Sequence, residues 1–401
     1  MIQFILLLGL IFLLDYYVFS AVSLLLINIV GGTSLMVSIA YWLIPLALII
    51  IVIASFSNRA IFHENKYVHH LRSLVFLIYF AKILVALFLF GDDLIRAILF
   101  LAGNPLERSA NVALLALLFG GITLILLVYG IFRNTYRFKV FEEQIVLPNL
   151  PEGLQNLKIV QLSDIHVGSF KRKDKVQKAI KKINGLQPDI IFFTGDLVNS
   201  IAAEMNGWEE IFGQLNAKYG VFSIVGNHDY GDYVVWPNKE TKYANFARLK
   251  AIHAQMGWQL LLNENKILDI DNAKLAVIGV ENYSANKRFH KYGDLRKAAI
   301  GTEQADVKIL LSHDPSHWDD QVVTDFQDIK LTLSGHTHGF QFGIDLSWLK
   351  WSPVKYAYKQ WAGLYNNGGQ FLYVNRGFGV LGYPGRVGIL PEITVLRLQG
   401  E

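Results

Sequence analysis

The sequence contains no cysteine among its 401 residues. Disulfides, thiolate metal ligands and a cysteine nucleophile are therefore excluded. Charge is also scarce, because only 17% of the residues are charged whereas 52% are hydrophobic, which is more apolar than an ordinary soluble protein. The net charge of +4 is too small to favour nucleic acid as a partner, and we expect none.

The shortage of charge is concentrated in the first third of the chain. Residues 1–58 contain no Lys or Arg and a single acid, Asp15. A transmembrane helix takes about 20 apolar residues, and four runs are long enough: Ile2–Val22 (extendable to Val30), Leu35–Phe56, Ser73–Phe90 and Val112–Phe132. The first run lacks the basic start of a signal peptide, and a second run follows it almost at once. We predict a transmembrane region over residues 1–140 and a soluble domain over residues 141–401.

Basic residues between the runs predict the orientation in the membrane, since Lys and Arg favour the cytoplasmic side of short loops. The loop Ser57–Arg72 and the segment after the fourth run carry three basic residues each, whereas Gly91–Asn111 carries two beside three acids. We therefore expect an integral membrane protein of a bacterial inner or cell membrane, with the catalytic domain in the cytoplasm.

Two charged residues, Asp15 and Lys82, fall inside predicted spans. A lone charge in lipid is costly, which favours a mutual pair or a contact lined by water. Alternatively, Asp15 lies near an interface and the ammonium group of Lys82 reaches the headgroups.

The second half alternates strand-like and helix-like segments, as in α/β domains with layered sheets. Predicted helices are Lys173–Asn184 and Thr241–Gln255; predicted strands are Leu157–Leu162, Asp189–Phe193, Val221–Val225, Leu275–Val280, Val307–Leu311, Ile329–Leu333, Phe371–Val374 and Ile393–Leu398.

Five polar segments follow these strands, at the position where α/β sheets place their sites. They are Asp164-Ile165-His166, Gly195-Asp196, Gly226-Asn227-His228-Asp229, His313 and Gly335-His336-Thr337-His338. Their oxygen and imidazole donors suit divalent first-row metals. Two metals at one site need a shared carboxylate and several terminal ligands, and an imidazole can protonate the leaving group. The residue types present meet all these requirements, and they predict two-metal phosphoryl-ester chemistry.

The segments read QLSDIH, FTGDLVN, VGNHD, LLSHD and LSGHTHG in that order. This pattern resembles the calcineurin-like metallophosphoesterase superfamily and covers roughly Leu157 to Leu398. The resemblance implies a four-layer αββα sandwich and two divalent ions, Mn²⁺ by preference, with Fe, Zn²⁺ or Mg²⁺ as alternatives. It implies these roles: Asp164, His166 and His338 as ligands of one metal, Asn227, His313 and His336 as ligands of the other, Asp196 as the bridging and catalytic carboxylate, and His228 as the catalytic acid.

The segment after Asp196 lacks the Asp-Arg-Gly of the protein phosphatases, which counts against a phosphoprotein substrate. The chain is more similar to a bacterial membrane-associated branch, and some members of the broader superfamily cleave a UDP-diacylglucosamine lipid. The expected function is therefore a membrane-anchored phosphoesterase that hydrolyses a phosphoester or pyrophosphate, by preference in a membrane lipid. The alternatives are a tethered nucleotide phosphodiesterase, a non-catalytic metal-binding sensor or scaffold, and a partner of a lipid-transport unit.

The sequence allows two roles for each of several other residues. Asp229 either orients His228 or caps a turn, and the basic stretch Lys171–Lys182 either faces solvent or faces anionic lipid or substrate. Arg376 and Arg386 each either clamp a substrate phosphate or pair with a carboxylate. The remaining histidines are expected on the surface or in loops: His63, His69, His70, His253, His290 and His317.

Overall fold

The computed structural model describes residues 2–30, 34–57 and 66–401. The described chain forms two compact units, Met1–Tyr129 and Gly130–Glu401. The helices of the first unit are α1 Ile2–Val30, α2 Leu35–Ser57, α3 Lys66–Leu101 and α4 Ala110–Tyr129. Among the described residues, three stretches are long and apolar enough to cross a membrane, and α2 contributes a shorter apolar stretch: Leu6–Asn28, Ser73–Leu101 and Ala110–Asn134, with Leu35–Ile50 as the shorter one. Arg59 and His63 lie outside the described residues.

The charges of Asp15 and Lys82 meet inside the first unit and form an ion pair. Asp15 is fully buried, and its carboxylate also accepts a hydrogen bond from the Tyr79 hydroxyl at 2.8 Å. The Tyr41 hydroxyl donates to the backbone carbonyl of Asp15 at 2.8 Å. The pair therefore joins α1 to α3. Of the arrangements considered for these two charges, the mutual pair is the one observed.

The second unit begins with a π-helical turn, Gly130–Asn134, directly after α4. Its strands are β1 Lys139–Leu147, β2 Lys158–Leu162, β3 Ile190–Thr194, β4 Val221–Ile224, β5 Trp258–Leu260, β6 Glu264–Ile270, β7 Ala273–Gly279, β8 Val307–Leu311, β9 Ile329–Ser334, β10 Ile344–Asp345, β11 Lys350–Trp351, β12 Gly363–Asn367, β13 Gln370–Val374 and β14 Glu392–Gly400. Its helices are α5 Lys173–Gly185, α6 Glu209–Phe212, α7 Lys239–Gln255, α8 Leu295–Ala298 and α9 Val323–Asp325.

Two six-stranded sheets organise this unit, in the orders β1-β14-β2-β3-β4-β5 and β12-β13-β9-β8-β7-β6. In the first sheet β2 to β5 are parallel, and in the second β7, β8, β9 and β13 are parallel. The edge strands β6 and β12 run antiparallel to their neighbours.

The alternation of side chains along each strand produces the layers. Ile159 of β2 points into the core between the two sheets, where it shares a cluster with Ile309 of β8. Its neighbour Val160 points the opposite way and packs with Ile180 of α5. On the far side, Leu310 of β8 belongs to a third cluster with residues of α8. Because both faces of both sheets are covered at their centres, central strands such as β3 and β8 are buried along their whole length, and the unit is a four-layer αββα sandwich, as expected.

Candidate metal centre

The seven predicted ligands and His228 all lie at the carboxyl ends of parallel strands from the two sheets. Asp164 and His166 follow β2, Asp196 follows β3, and Asn227 follows β4. His313 follows β8, whereas His336 and His338 follow β9. The two sheets therefore contribute ligands from facing edges. A hydrogen bond joins these edges, because the side-chain carboxylate of Asp164 accepts from the backbone N–H of His336 at 3.0 Å.

Several of these residues leave their strands in the left-handed backbone conformation. The φ angles are +52° at Asp164, +43° at His166, +61° at Asp196, +69° at His336 and +52° at His338. Residues other than Gly adopt this conformation in only a few per cent of cases, with Asn, Asp and His the most frequent among them. Here the chain turns sharply as it leaves each strand and brings these side chains to the facing edges of the two sheets.

One ligand group consists of Asp164, His166 and His338, whose candidate donor atoms lie within 4.8 Å of one another. The His338 Nε2 lies 3.2 Å from the Asp164 carboxylate and 3.0 Å from the Nε2 of His166. All three side chains are buried. The group therefore offers one oxygen and two nitrogens to a single position.

A second ligand group consists of Asp196, His313 and His336, with the same limit on its donor spacing. The His313 Nε2 lies 3.2 Å from Asp196 Oδ2 and 3.3 Å from His336 Nδ1. The amide oxygen of Asn227 lies 2.9 Å from the same His336 nitrogen. The Oδ2 of Asp196 also lies 3.5 Å from His166 Nε2, so this carboxylate stands between the two groups.

Backbone carbonyls fix which imidazole nitrogens face the centre. His166 Nδ1 contacts the Val198 carbonyl at 3.2 Å, and His313 Nδ1 contacts the Thr194 carbonyl at 2.7 Å. Since a carbonyl only accepts, each Nδ1 carries the hydrogen and each Nε2 turns a lone pair toward a carboxylate oxygen or another ring nitrogen. Lone pairs at these distances are satisfied only by a cation or a proton. The donor set therefore fits divalent metal ions held by histidine with an ordered tautomer.

The ionisation of the groups agrees with a site built for cations. Burial alone would raise the pKa of the Asp164 and Asp196 carboxyls, but the facing histidines hold both below their usual range. Burial lowers the pKa of His166 and of His336. Burial also disfavours the charged form of His313, yet the nearby carboxylates raise its pKa to about 10.

Two glycines allow the loops to approach the carboxylates. A Cβ atom at Gly226 would overlap Asp196 Oδ1, and one at Gly335 would overlap Asp164 Oδ2. Both positions therefore exclude every other residue unless the ligand loops move.

His228 lies beside the two groups rather than within them. Its Nδ1 lies 2.6 Å from the Asn199 carbonyl, which leaves Nε2 as the free ring nitrogen, and its ring centroid lies 5.0 Å from that of His166. Its backbone N–H donates to Asp196 Oδ1 at 2.9 Å. Glu204 accepts hydrogen bonds from three successive backbone amides that begin at Asn199, so it holds the loop that orients His228.

Asp229 caps turns with its carboxylate, which is one of the two roles predicted for it. Its Oδ2 accepts from the backbone N–H groups of Asp196 and Gly226 at 2.9 Å each. Its Oδ1 accepts from Leu197 N at 2.9 Å and Val198 N at 3.3 Å. Asp229 is fully buried, and burial together with the charge of Asp196 raises its pKa to about 7. Its contacts join the loops after β3 and β4.

The two arginines near the end of the chain, Arg376 and Arg386, bind buried groups of the protein and do not face a substrate phosphate. Arg376 is 3% exposed and donates to Glu392 Oε2 at 2.7 Å, with Asp345 as a second partner at 3.0 Å. Arg386 is fully buried, and its guanidinium donates to the backbone carbonyls of Arg376, Gly377 and Gly379. Arg386 has neither the exposure nor the free donors to meet a substrate.

Three residues around the centre were not predicted from the sequence. The Tyr233 hydroxyl accepts from Asn227 Nδ2 at 2.7 Å, which leaves the amide oxygen facing His336. The Tyr358 hydroxyl lies 2.8 Å from His336 Nε2. Asp314 Oδ2 lies 3.6 Å from the same nitrogen. Only Asp314 adjoins a motif; neither tyrosine belongs to a recognisable pattern.

The positive charge of an exposed arginine, Arg288, acts on both of these tyrosines. Burial raises the pKa of the Tyr233 and Tyr358 hydroxyls, and the positive charge of Arg288 opposes that rise at both. The next residue, Phe289, places its ring 4.8 Å from the His336 ring. Among the described residues, no carboxylate pairs with the Arg288 guanidinium.

The surface prediction is wrong for two of the remaining histidines. His253 is fully buried beside Ser223, and its Nδ1 lies 2.9 Å from that hydroxyl. His317 is buried between Ser312 and Gln321. Burial lowers the pKa of His253 to about 3 and that of His317 to about 4, so both are neutral core residues.

Two protein families match this chain. Residues 1–135 match "Probable Calcineurin-like phosphoesterase, transmembrane domain", and residues 157–340 match "Calcineurin-like phosphoesterase". A transmembrane protein with metallophosphoesterase domain from Danio rerio is 31% identical over 69% of this chain and 61% of its own length. The protein of the same description from Bos taurus is 31% identical over 74% and 65%.

A third relative, the uncharacterised metallophosphoesterase YkuE of Bacillus subtilis, is 28% identical over 68% of this chain and 89% of its own length. The chain thus spans somewhat less than two thirds of the two vertebrate relatives. Both family matches agree with the helices and the ligand groups described above. The chain belongs to the calcineurin-like metallophosphoesterases and carries their transmembrane domain in front of the metallophosphoesterase domain.

Proposed function

We propose that this protein is a membrane-anchored, metal-dependent phosphoesterase with a transmembrane region over residues 1–140 and a catalytic domain over residues 141–401. The observation that carries the proposal is the pair of ligand groups that Asp196 links: it belongs to the second group, and its Oδ2 also lies 3.5 Å from His166 Nε2 of the first. Family membership supports the same reaction class.

The proposed metal ligands are Asp164, His166 and His338 for one ion, Asn227, His313 and His336 for the other, and Asp196 for both. Two divalent ions, Mn²⁺ by preference, would supply Lewis-acid activation of the phosphoryl group. The protein orients these ligands, because backbone carbonyls hold the rings of His166 and His313 with their Nε2 atoms directed at the centre.

His228 is proposed to hold the proton that goes to the leaving oxygen. The Asn199 carbonyl fixes its Nδ1 hydrogen, so Nε2 is the atom from which a proton can be transferred. The ring is half-buried, which leaves its edge accessible to a substrate. Removal of a positioned acid typically costs a factor of about 10²–10⁴ in rate.

Arg288 is proposed to bind a second anionic group of the substrate. It is exposed, its charge acts on the Tyr233 and Tyr358 hydroxyls, the ring of its neighbour Phe289 lies 4.8 Å from the His336 ring, and it has no carboxylate partner among the described residues. A free guanidinium at the edge of a metal site suits a phosphate or pyrophosphate oxygen. This feature favours a substrate with more than one phosphate charge.

We propose a membrane lipid that carries phosphate or pyrophosphate as the substrate class, hydrolysed on the cytoplasmic side. The transmembrane helices restrict the domain to a surface and raise the effective concentration of any lipid substrate. The excess of Lys and Arg in the segment after the last span supports the cytoplasmic orientation.

The experiment compares hydrolysis by the detergent-purified full chain with Mn²⁺ on three substrates: bis-p-nitrophenyl phosphate, a soluble nucleotide diester and a UDP-linked diacylglucosamine lipid. Variants are Asp196→Asn, His228→Ala and, as a matched control, Asp174→Asn, whose carboxylate is exposed. Metal content per chain is measured alongside. We expect Asp196→Asn to lose metal and activity, His228→Ala to keep metal and lose activity, and the control to keep both.

Each outcome selects a different conclusion. Much faster turnover of the lipid supports the proposed substrate class, and faster turnover of the nucleotide replaces it with a tethered nucleotide phosphodiesterase. Bound metal without turnover of any of the three substrates would refute the enzyme and favour the sensor or scaffold alternative.

A further inference from the structure

The surface of the second unit contains a basic groove next to the start of that unit. It has a volume of about 290 Å³, and its lining includes Tyr136, Arg137, Phe138, Lys175, Lys178 and Lys182. Ligand pockets usually measure about 300–1,000 Å³, so this groove suits a headgroup-sized ligand. We propose that this basic groove binds the phosphodiester headgroup of an anionic phospholipid in the membrane that the chain spans.

The spacing of the lysines on α5 directs them to one face. Lys175, Lys178 and Lys182 stand at positions i, i+3 and i+7, which lie above one another on a helix. The opposite face of α5 carries buried residues that pack on the first sheet, among them Val176 and Ile180. The three lysines therefore project from the sandwich toward the segment 136–138.

The positive charge of the basic groove is not neutralised by the protein. Among the described residues, no carboxylate lies within ion-pair distance of Arg137, Lys175 or Lys178. The acid closest to them in sequence, Asp174, is already bound by Arg172 at 2.9 Å. Unpaired like charges in one groove repel one another, so an anion between them lowers the free energy of the folded state.

Ordered aromatic residues form one wall of the basic groove. The Phe138 ring stacks on Phe378 with centroids 4.3 Å apart, and the Tyr136 hydroxyl accepts from Lys171 N at 2.9 Å. Lys182 Nζ donates to the Phe138 carbonyl at 3.2 Å and ties α5 to this wall. The wall is therefore formed before any ligand arrives.

Chain connectivity argues for lipid rather than a soluble anion as the ligand. Only residues 130–136 separate the end of α4 at Tyr129 from Arg137, and five of them form a helical turn. At about 1.5 Å per helical residue and about 3.4 Å per extended residue, the chain from Tyr129 to Arg137 can span no more than about 18 Å. Cations this close to a spanning helix meet the anionic lipid of the cytoplasmic leaflet.

The basic groove adjoins the ligand loop in the chain. His166 is followed by one short turn, Val167–Ser169, and then by α5 at Lys173. The Tyr136 hydroxyl also accepts from Arg172 N at 3.2 Å. A headgroup held between α5 and residues 136–138 would therefore fix the helix that begins seven residues after the proposed ligand His166. This inference rests on the membrane anchor and on the proposed cytoplasmic orientation, and it stands apart from the proposed hydrolysis.

The test is native mass spectrometry of the full-length protein in detergent, titrated separately with dioleoylphosphatidylglycerol, dioleoylphosphatidylcholine and inorganic phosphate. The variant Lys175→Gln/Lys178→Gln/Lys182→Gln removes three charges. Since each Lys near an anionic surface contributes about 1 kcal/mol, or about fivefold, we expect phosphatidylglycerol to bind on the order of 100-fold more weakly. Lys181→Gln, an exposed lysine of the same helix outside the groove, is expected to bind like the wild type.

The triple Lys→Arg variant keeps the charge and should keep the binding, which separates charge from damage to the fold. Equal binding of phosphatidylglycerol by wild type and the Gln variant would overturn the proposal, as would equal binding of the two lipids. Displacement of the lipid by equimolar inorganic phosphate would also overturn it and indicate a site for soluble phosphate. Turnover of bis-p-nitrophenyl phosphate should be the same in all variants. If the wild type turned over none of the three substrates of the activity assay, the proposed enzyme would be refuted and the lipid result would stand.

Discussion

The isosteric change Asp229→Asn tests how the metal centre is held together. The Asp229 carboxylate accepts four backbone hydrogen bonds, two at each oxygen. An amide keeps only one acceptor oxygen and presents an NH₂ group at the other position, so two buried N–H groups lose their acceptor. Each unsatisfied group costs about 1–3 kcal/mol, which gives a loss of about 2–6 kcal/mol.

The loss is measurable as a shift in unfolding temperature. For a domain of this size 1 kcal/mol corresponds to about 2–4 °C, so we expect Tm to fall by at least about 4 °C. The loops that carry Asp196 and the Val198 carbonyl should loosen, and metal content and turnover should fall with Tm. Asp174→Asn, at an exposed position, should leave all three unchanged. If Asp229→Asn kept its Tm and its metal and altered only the pH profile of turnover, Asp229 would act on His228 and the capping argument would be wrong.

Three further predictions follow from other buried or unpaired charges. Burial alone would raise the pKa of Glu392, but Arg376 lowers it, so the contribution of the Glu392 carboxylate to stability is present above the ordinary carboxyl pKa and is lost as pH falls. Glu392→Gln should therefore cost about 3–5 kcal/mol of unfolding free energy at pH 7 in urea unfolding and progressively less below about pH 4. An equal loss at both pH values would contradict this. Asp15→Asn or Lys82→Met should each destabilise the helical unit by about 3–5 kcal/mol in thermal unfolding, and the exchange Asp15→Lys/Lys82→Asp should recover part of that; no recovery would rule out a stabilising pair. Arg288→Gln should raise KM for a pyrophosphate substrate by about 10–100-fold at unchanged metal content, Arg288→Lys by less, and an unchanged KM would remove Arg288 from substrate binding.

The central strands and the ligand motifs were predictable because each depends on local sequence. Strands buried on both faces are continuous apolar runs, so β3 and β8 stand out. The edge strands β1, β6 and β12 were missed because one face of each meets solvent and carries charged or polar residues, as in Glu142-Glu143 and Asn366-Asn367. The division of the strands between two sheets depends on pairing across long stretches of chain and leaves no local signal.

The roles of isolated polar residues depend on partners that are distant in sequence. The sequence allowed Arg386 to be a phosphate clamp, but its guanidinium is surrounded by backbone carbonyls of residues 376–379. His253 resembled a surface residue because its helix has polar neighbours, yet its ring lies against Phe193 and Trp258. Tyr233 and Tyr358 reach the centre from irregular segments, where neither periodicity nor spacing marks a residue as important.

The left-handed backbone at five of the seven proposed ligands lowers the stability of the folded domain while it positions the metal ligands. Conformations of this kind cost about 1–3 kcal/mol each unless the surroundings enforce them. A glycine would relieve that cost at Asp164, His166, Asp196, His336 or His338, but it would also remove a ligand. Selection for stability alone would therefore erode this centre, and a variant that had lost its chemistry would gain folding free energy in the absence of metal.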